Sequence, residues 1–243
     1  MSRVTTVVHM GTREIRRTPV LLALLVFLPA YLVGVFTYVA PDSTVQFELA
    51  GGEAVQVGMS EAFPAFTTPM VAALLSAIAG LFLMQNATRA DSRLLIAGYR
   101  SHEVVLARLA LLVGVGAVGT IVAVGVMRVA FAPEHLLVFG GAVMLAALIY
   151  GMVGVLAGVL LDRLPGVYLI LFGTMIDLFL FQNPIAADTP ALATVMPGHY
   201  PIELAMDAGF SESVSAGPLP GSIAVLAILT ALATVAFYRE TSP

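Results

Sequence analysis

Asp177 is the residue whose position most clearly invites a chemical interpretation. It lies in residues 173–179, inside a long apolar run. An ionisable group within a bilayer costs several kcal/mol unless it is paired or hydrated, so by default it marks a functional or interface position. Arg128, near the end of another apolar run, is a candidate partner. The alternative is that Ser, Thr or backbone groups of a neighbour satisfy Asp177, which then only fixes packing.

Other residue types that carry chemistry do not converge in the sequence. The four histidines lie in four different segments and indicate no metal cluster (His9, His102, His135 and His199). A copper route through the scattered methionines is conceivable, but Met in apolar helices mostly fills the core. An intramembrane protease would need a Ser–His or paired-Asp site, and Ser76 has no histidine at comparable depth. All 11 basic residues are arginine, so the lysine of a phosphate-binding loop is missing and any ATP must be hydrolysed by another polypeptide.

The composition is that of a membrane protein. Of 243 residues, 59% are apolar and 11% are charged, which is outside the range of an ordinary soluble domain. This length has room for about six membrane helices of roughly 20 residues and leaves little for a soluble domain. No cleavable signal peptide is expected, because the first apolar run begins after residue 17 and is long enough to span.

Six apolar runs are predicted to cross the bilayer: 18–39, 64–86, 104–130, 136–161, 166–183 and 221–238. The first contains Pro29, which neighbouring helices can accommodate by satisfying the freed carbonyl. The turn at residues 162–165 is very short, so the fourth and fifth spans should be antiparallel neighbours.

Three segments outside the spans also have a predicted structure. Residues 1–17 combine arginines with Val and Ile and fit a basic amphipathic helix at the membrane surface, with a disordered start as the alternative. Residues 40–63 are acidic, and two short runs around Gly51 and Gly52 predict an external β-hairpin. Prolines divide the external segment 184–219 into short pieces, of which 200–208 is a candidate helix.

The arginines indicate the orientation. Cytoplasmic ends of spans are enriched in basic residues, and ten of the 11 arginines fall at the inner side if both termini are cytoplasmic. Arg128 is the exception. The chain is therefore predicted to be a multi-pass protein of the cell membrane with both termini in the cytoplasm.

A charged island, residues 87–103, joins the second and third predicted spans. Residues 91–97 predict a short helix, because Asp91 and Ser92 suit a first turn and Gly98 can end it. Ser101 and Glu103 offer a cap for the next span. Such a helix on a cytosolic loop is suited to docking a soluble partner; the alternative is a basic loop that only obeys the bias of arginine toward the cytoplasm.

The island resembles a known family. Residues 91–108 are similar to the corresponding loop in the permeases of type-2 (exporter-class) ATP-binding-cassette transporters. The shared pattern is a second membrane helix, an arginine, a Leu-Leu-x-Ala-Gly segment, an aromatic-Arg-Ser-x-Glu turn and a third helix. The proline that this family usually places near residues 98–99 is lacking. The resemblance implies that the island, residues 87–103, is a coupling element seated in a groove of the ATPase. The implied coupling residues are Arg89, Asp91, Arg93, Leu94, Leu95, Tyr99, Arg100 and Glu103.

The resemblance extends along the chain. Residues 196–203 are similar to a Pro-aromatic element that these permeases often carry before the last span, where the family forms short re-entrant helices. The fourth span is glycine-rich, and Gly154 and Gly158 form a small-xxx-small motif that permits close helix approach. Packing within one chain is the preferred interpretation of this motif and a dimer seam is the alternative. In the family the dimer interface is usually built around the first and fifth helices.

These patterns predict an all-α integral membrane permease with six transmembrane helices, an N-terminal interfacial helix and short re-entrant or external helices before the last span. It would work as a homodimer or heterodimer with two cytoplasmic ATPase subunits and export an unidentified substrate. The chain itself would be no enzyme and would need no cofactor, metal or nucleic acid. The alternatives are a non-transporting membrane scaffold or accessory subunit, and a channel or secondary transporter, although the paired intramembrane charges or repeats typical of the latter are not evident.

Overall fold

The computed structural model describes residues 19–96, 101–184 and 191–241. The predicted interfacial helix over 1–17 lies outside them. Seven α-helices, one π-helix, one 3₁₀-helix and two strands form the described chain. In order they are α1 (Pro19–Val39), β1 (Thr44–Glu48), β2 (Ala54–Gly58), α2 (Met59–Ile96), α3 (Ser101–Met127), α4 (Leu136–Leu160), α5 (Arg163–Met175), the π-helix (Ile176–Phe181), the 3₁₀-helix (Ala191–Val195), α6 (His199–Phe210) and α7 (Pro218–Thr241).

Five helical segments among the described residues are long and apolar enough to cross a membrane. They are Met59–Gln85, Arg108–Met127, Leu136–Leu160, Arg163–Phe181 and Pro218–Ala236. The first predicted span coincides with α1, an apolar helix of 21 residues. The structure is thus mostly helical with five such helices, and a sixth crossing stays a prediction.

Helices α2 and α4 form the centre of the bundle. In α2, 83% of the apolar segment is buried, against 11% in α7. The two helices meet through residues without bulky side chains. A Cβ on Gly154 would overlap the carbonyl oxygen of Ala77, and one on Gly158 would lie 2.9 Å from the carbonyl oxygen of Leu81. The small-xxx-small motif therefore packs against a helix of the same chain, which is the preferred of the two interpretations.

Helix α2 is longer than the sequence pattern suggests. It runs unbroken from Met59 to Ile96, so the helix predicted over 91–97 is not a separate element but the last turns of α2. The physical reason is local, because residues 86–96 contain neither Gly nor Pro and nothing in them ends a helix. At ~1.5 Å per residue, the 11 residues beyond Gln85 extend α2 by roughly 16 Å.

The predicted β-hairpin is present. Strands β1 and β2 pair antiparallel, with Thr44 opposite Gly58 and Glu48 opposite Ala54. The connecting turn requires a left-handed residue, and Gly52 occupies it with φ +77°. The hairpin is anchored through Phe47, whose ring lies 5.5 Å from that of Phe210 at the end of α6.

Helix α6 is a buried piece of the segment between α5 and α7. It covers the predicted helix 200–208, and most of its residues from Pro201 to Gly209 are buried. It contacts α2, α4, α7 and the 3₁₀-helix. The turn between α3 and α4 closes over its end, where the backbone N–H groups of Glu134 and His135 donate to the carbonyl oxygens of Gly209 and Ala208 at 3.2 and 3.0 Å. The short helix is therefore an integral part of the bundle rather than a loose external loop.

Candidate functional site

The carboxylate of Asp177 is the centre of a buried polar network. Asp177 is only 4% exposed. Its Oδ2 accepts hydrogen bonds from the hydroxyl of Tyr150 on α4 and, at 3.2 Å, from the backbone N–H of Gly198. Its Oδ1 accepts one from Nε2 of Gln182 at 3.1 Å. Three donors from three parts of the chain therefore satisfy one carboxylate.

A π-helix places Asp177 and Gln182 side by side. Residues Ile176–Phe181 continue α5 with widened turns, and the backbone N–H of Gln182 donates to the carbonyl oxygen of Asp177 five residues earlier at 3.0 Å. Short π-helical insertions of this kind occur frequently at functional sites. The widening lets the Gln182 amide fold back onto the Asp177 carboxylate, which a regular α-helix would not favour at this spacing.

Gly198 permits the approach of the segment before α6. A Cβ at this position would overlap the side chain of Leu178 and lie 2.7 Å from the Tyr150 hydroxyl. Because glycine has no Cβ, its N–H can reach Oδ2 of Asp177. Any other residue would require the buried side chains of Leu178 and Tyr150 to shift or the start of α6 to move away.

The network continues from the core toward the surface. Nε2 of Gln182 also donates to the carbonyl oxygen of Ala193 at 2.9 Å, and its Oε1 lies 3.4 Å from Nδ1 of His199. Nε2 of His199 lies 3.8 Å from Oε2 of Glu203, one helical turn along α6. The His199 and Glu203 side chains are 25% and 32% exposed, so this end of the network reaches the rim of the bundle.

The surroundings of Glu203 change the pKa of its carboxyl group. Burial raises the pKa of the Glu203 carboxyl; His199 opposes this effect and Asp207 reinforces it. A carboxyl whose pKa is raised favours the folded state while it is protonated, and this contribution is lost as the pH rises through that pKa. The contribution of Glu203 to stability therefore falls as the pH rises.

The prediction that Arg128 is the partner of Asp177 is wrong. Arg128 is exposed just beyond the end of α3, and the contacts of Asp177 are with Tyr150, Gln182 and Gly198. Of the donors named in the alternative (Ser, Thr or backbone groups), the structure shows the backbone N–H of Gly198; the other two donors are the side chains of Tyr150 and Gln182. Sequence analysis missed Tyr150 and Gln182. A signal for Gln182 was available, since it is a polar residue at the end of the same apolar run.

The predicted coupling residues are distributed over two consecutive helices. Arg89, Asp91, Arg93, Leu94 and Leu95 lie on the last turns of α2, and Glu103 lies in the first turn of α3. Their side-chain contacts, and the whole of Tyr99 and Arg100, fall outside the described structure. The backbone therefore places six of the eight at facing ends of consecutive helices, and their role stays a prediction.

Known proteins supply no identification. No family model, no curated protein and no solved structure matches the chain. Within residues 19–96, 101–184 and 191–241, no group of three or more His, Cys, Asp or Glu side chains is placed to hold a metal ion.

Proposed function

We propose that the chain is the membrane-spanning permease subunit of an ATP-driven exporter. It would work as a homodimer or heterodimer with two cytoplasmic ATPase chains and move an unidentified substrate outward. The observation that carries this proposal is the shape of α2. This one helix combines an almost wholly buried apolar part with a charged end, and the end extends roughly 16 Å past the apolar part.

The charged end of α2 is suited to bind a soluble partner and to be displaced by it. It carries Arg89 and Arg93 and is joined to α3 by only four residues, 97–100. Because α2 packs against α4 through glycine and alanine backbone contacts, a displacement of its charged end would be transmitted into α4. Tyr150 on α4 in turn contacts Asp177, so movement of α2 would reach the polar network.

Two further features support a permease. The arginine distribution favours a cell-membrane topology with cytoplasmic termini, and the buried α6 fits the short re-entrant helices of the resembling family. Helices α1 and α5 expose large apolar side chains, including Phe27, Tyr31, Tyr168 and Phe172. In that family these two helices build the dimer interface, so the exposed rings support a dimer.

Replacement of Arg93 and Arg100 by Glu tests the coupling. We expect the wild-type chain to co-purify with a chain that carries a phosphate-binding loop and hydrolyses ATP. The double variant should insert into the membrane normally and lose this partner. Arg239→Glu, a charge reversal at the end of α7, is the matched control and should retain it. A retained ATPase in the double variant would refute the coupling role.

A proton-linked secondary transporter is the second candidate. The observation that favours it is the buried carboxylate beside a His–Glu pair, since intramembrane ionisable groups mark proton and ion pathways. The purified chain in liposomes discriminates the two. Substrate uptake driven by a pH gradient without any ATPase chain would favour this candidate.

A further inference from the structure

The amide of Gln182 has only one orientation that satisfies its neighbours. Its Nε2 faces Oδ1 of Asp177 and the carbonyl oxygen of Ala193, at 3.1 and 2.9 Å. Both of these atoms are acceptors, so the NH₂ group must point toward them. The amide oxygen is then left facing Nδ1 of His199 at 3.4 Å.

This orientation determines which nitrogen of His199 carries a hydrogen. Because the amide oxygen of Gln182 can only accept, Nδ1 of His199 must be the donor. Nε2 of the neutral ring is then an acceptor, and it faces the carboxyl oxygen of Glu203 at 3.8 Å. Two acceptors that face each other repel, unless one proton lies on either His199 or Glu203.

Among the described residues, few other ionisable groups surround the pair. Asp177 on the π-helix interacts electrostatically with His199, and Tyr150 of α4 lies behind Asp177. On α6 itself, Tyr200 contacts the His199 ring, and Asp207 acts on Glu203. A cation at the first turn of a helix is disfavoured by the helix dipole, and the Asp177 carboxylate opposes this effect.

We propose that His199 and Glu203, acting through Gln182 on Asp177, form a proton-dependent latch that holds the start of α6 against the π-helix. With one proton in the pair, His199 donates to Gln182 and also pairs with Glu203. When that proton is lost, neutral His199 faces an ionised carboxylate at 3.8 Å, and the ring relieves the repulsion by leaving Gln182. The latch closes as the pH falls and opens as it rises. It requires only the contacts described above and does not depend on the proposed transport function.

A cysteine at Ala205 reports the opening of α6. The chain has no cysteine, and Ala205 is fully buried in α6, so a thiol there reacts with maleimide only when the helix detaches. A cysteine at the exposed Ser213 supplies the ordinary rise in thiol reactivity with pH. We expect the rate at position 205, divided by that at 213, to rise about tenfold between pH 5.5 and 8.5.

Three variants isolate the chain of contacts. In the chain with Ala205→Cys, adding Gln182→Leu should make the thiol react fast with maleimide at every pH, because the contact of His199 with Asp177 through Gln182 is lost. Glu203→Gln should react slowly even at pH 8.5, because its amide donates to neutral His199 and no proton is needed. His199→Asn keeps a donor toward Gln182 but cannot gain or lose a proton. The ratio of the rates at positions 205 and 213 should therefore be low and independent of pH.

Hydrogen exchange of the α6 amides, corrected for intrinsic pH dependence, measures the same opening in the cysteine-free chain and covers the case in which Ala205→Cys does not fold. A rate ratio and exchange protection that do not change with pH would overturn the latch. The same conclusion follows if Glu203→Gln opens with pH as the wild type does.

Discussion

At the level of single residues, the Asp177 carboxylate is the acceptor on which α4, the end of α5 and the start of α6 converge. Each of its three donors is buried. Removing the acceptor leaves a buried donor unsatisfied, which costs about 1–3 kcal/mol for each group. The network therefore contributes to the stability of the bundle whether or not it takes part in transport.

Replacement of Asp177 should destabilise the chain in a graded way. Asp177→Leu removes both oxygens and strands three donors, so we expect the largest loss, about 3 kcal/mol or more of unfolding free energy. Asp177→Asn keeps one oxygen, but its NH₂ group faces either Gln182 or Gly198, which are also donors, so an intermediate loss is expected. Unfolding in mixed micelles measures both.

Asp162→Asn is the matched control. Asp162 is exposed and precedes α5 without a side-chain capping bond, so its replacement should leave stability within about 0.5 kcal/mol of wild type. If Asp177→Leu were as stable as this control, the buried network would have no energetic role.

The sequence identified Asp177 but not its partners. A carboxylate in an apolar run is conspicuous in any window of the sequence. The identity of its donors depends on how helix faces are rotated, and the π-helix alters that rotation within residues 176–181. No residue in this stretch is a Gly or Pro that would have signalled the change, so Tyr150 could not be paired with Asp177 by periodicity.

At the level of elements, the contact between α2 and α4 depends on the absence of side chains. Gly154 meets the backbone of Ala77 directly, and Gly151 lies against Ser76, whose hydroxyl would be 2.7 Å from a Cβ. The close approach gives extensive dispersion contact, which is the main attraction between helices in lipid. The seam is thus rigid and intolerant of added volume.

Gly154→Ala should separate the two helices. We expect it to lower the unfolding free energy by about 1–3 kcal/mol, since even a methyl group overlaps the backbone of α2. Gly141→Ala on the same helix is the matched control. Nothing lies within 4 Å of a Cβ there, so alanine should be neutral or stabilise the helix by up to about 1 kcal/mol. Equal effects of the two substitutions would show that the seam is looser than described.

Most helix bounds could be predicted because long apolar runs leave little freedom. The span predicted over 136–161 corresponds to α4, and the hairpin and the helix over 200–208 were found from turn residues and prolines. The continuity of α2 was missed for a specific reason. Charge in residues 87–96 suggested a loop, whereas the absence of Gly and Pro permits an unbroken helix.

At the level of the whole molecule, orientation rests on the arginines. Single cysteines at Ser43, Ser92 and Ser213 test it on the cysteine-free chain. Ser43 and Ser213 are exposed next to the hairpin and after α6, and a membrane-impermeant maleimide should label both from outside intact cells. Position 92 should react only after the membrane is opened. Labelling of position 92 in intact cells would reverse the proposed topology.

The most direct test of the permease proposal is the native mass of the complex extracted from membranes. The chain weighs 25.4 kDa. We predict a particle that contains two such chains, or one such chain and a related chain, together with two ATPase chains. For the Arg93→Glu, Arg100→Glu variant we predict the mass of the membrane subunits alone. A wild-type particle that contains this chain without any nucleotide-binding subunit would contradict the proposal.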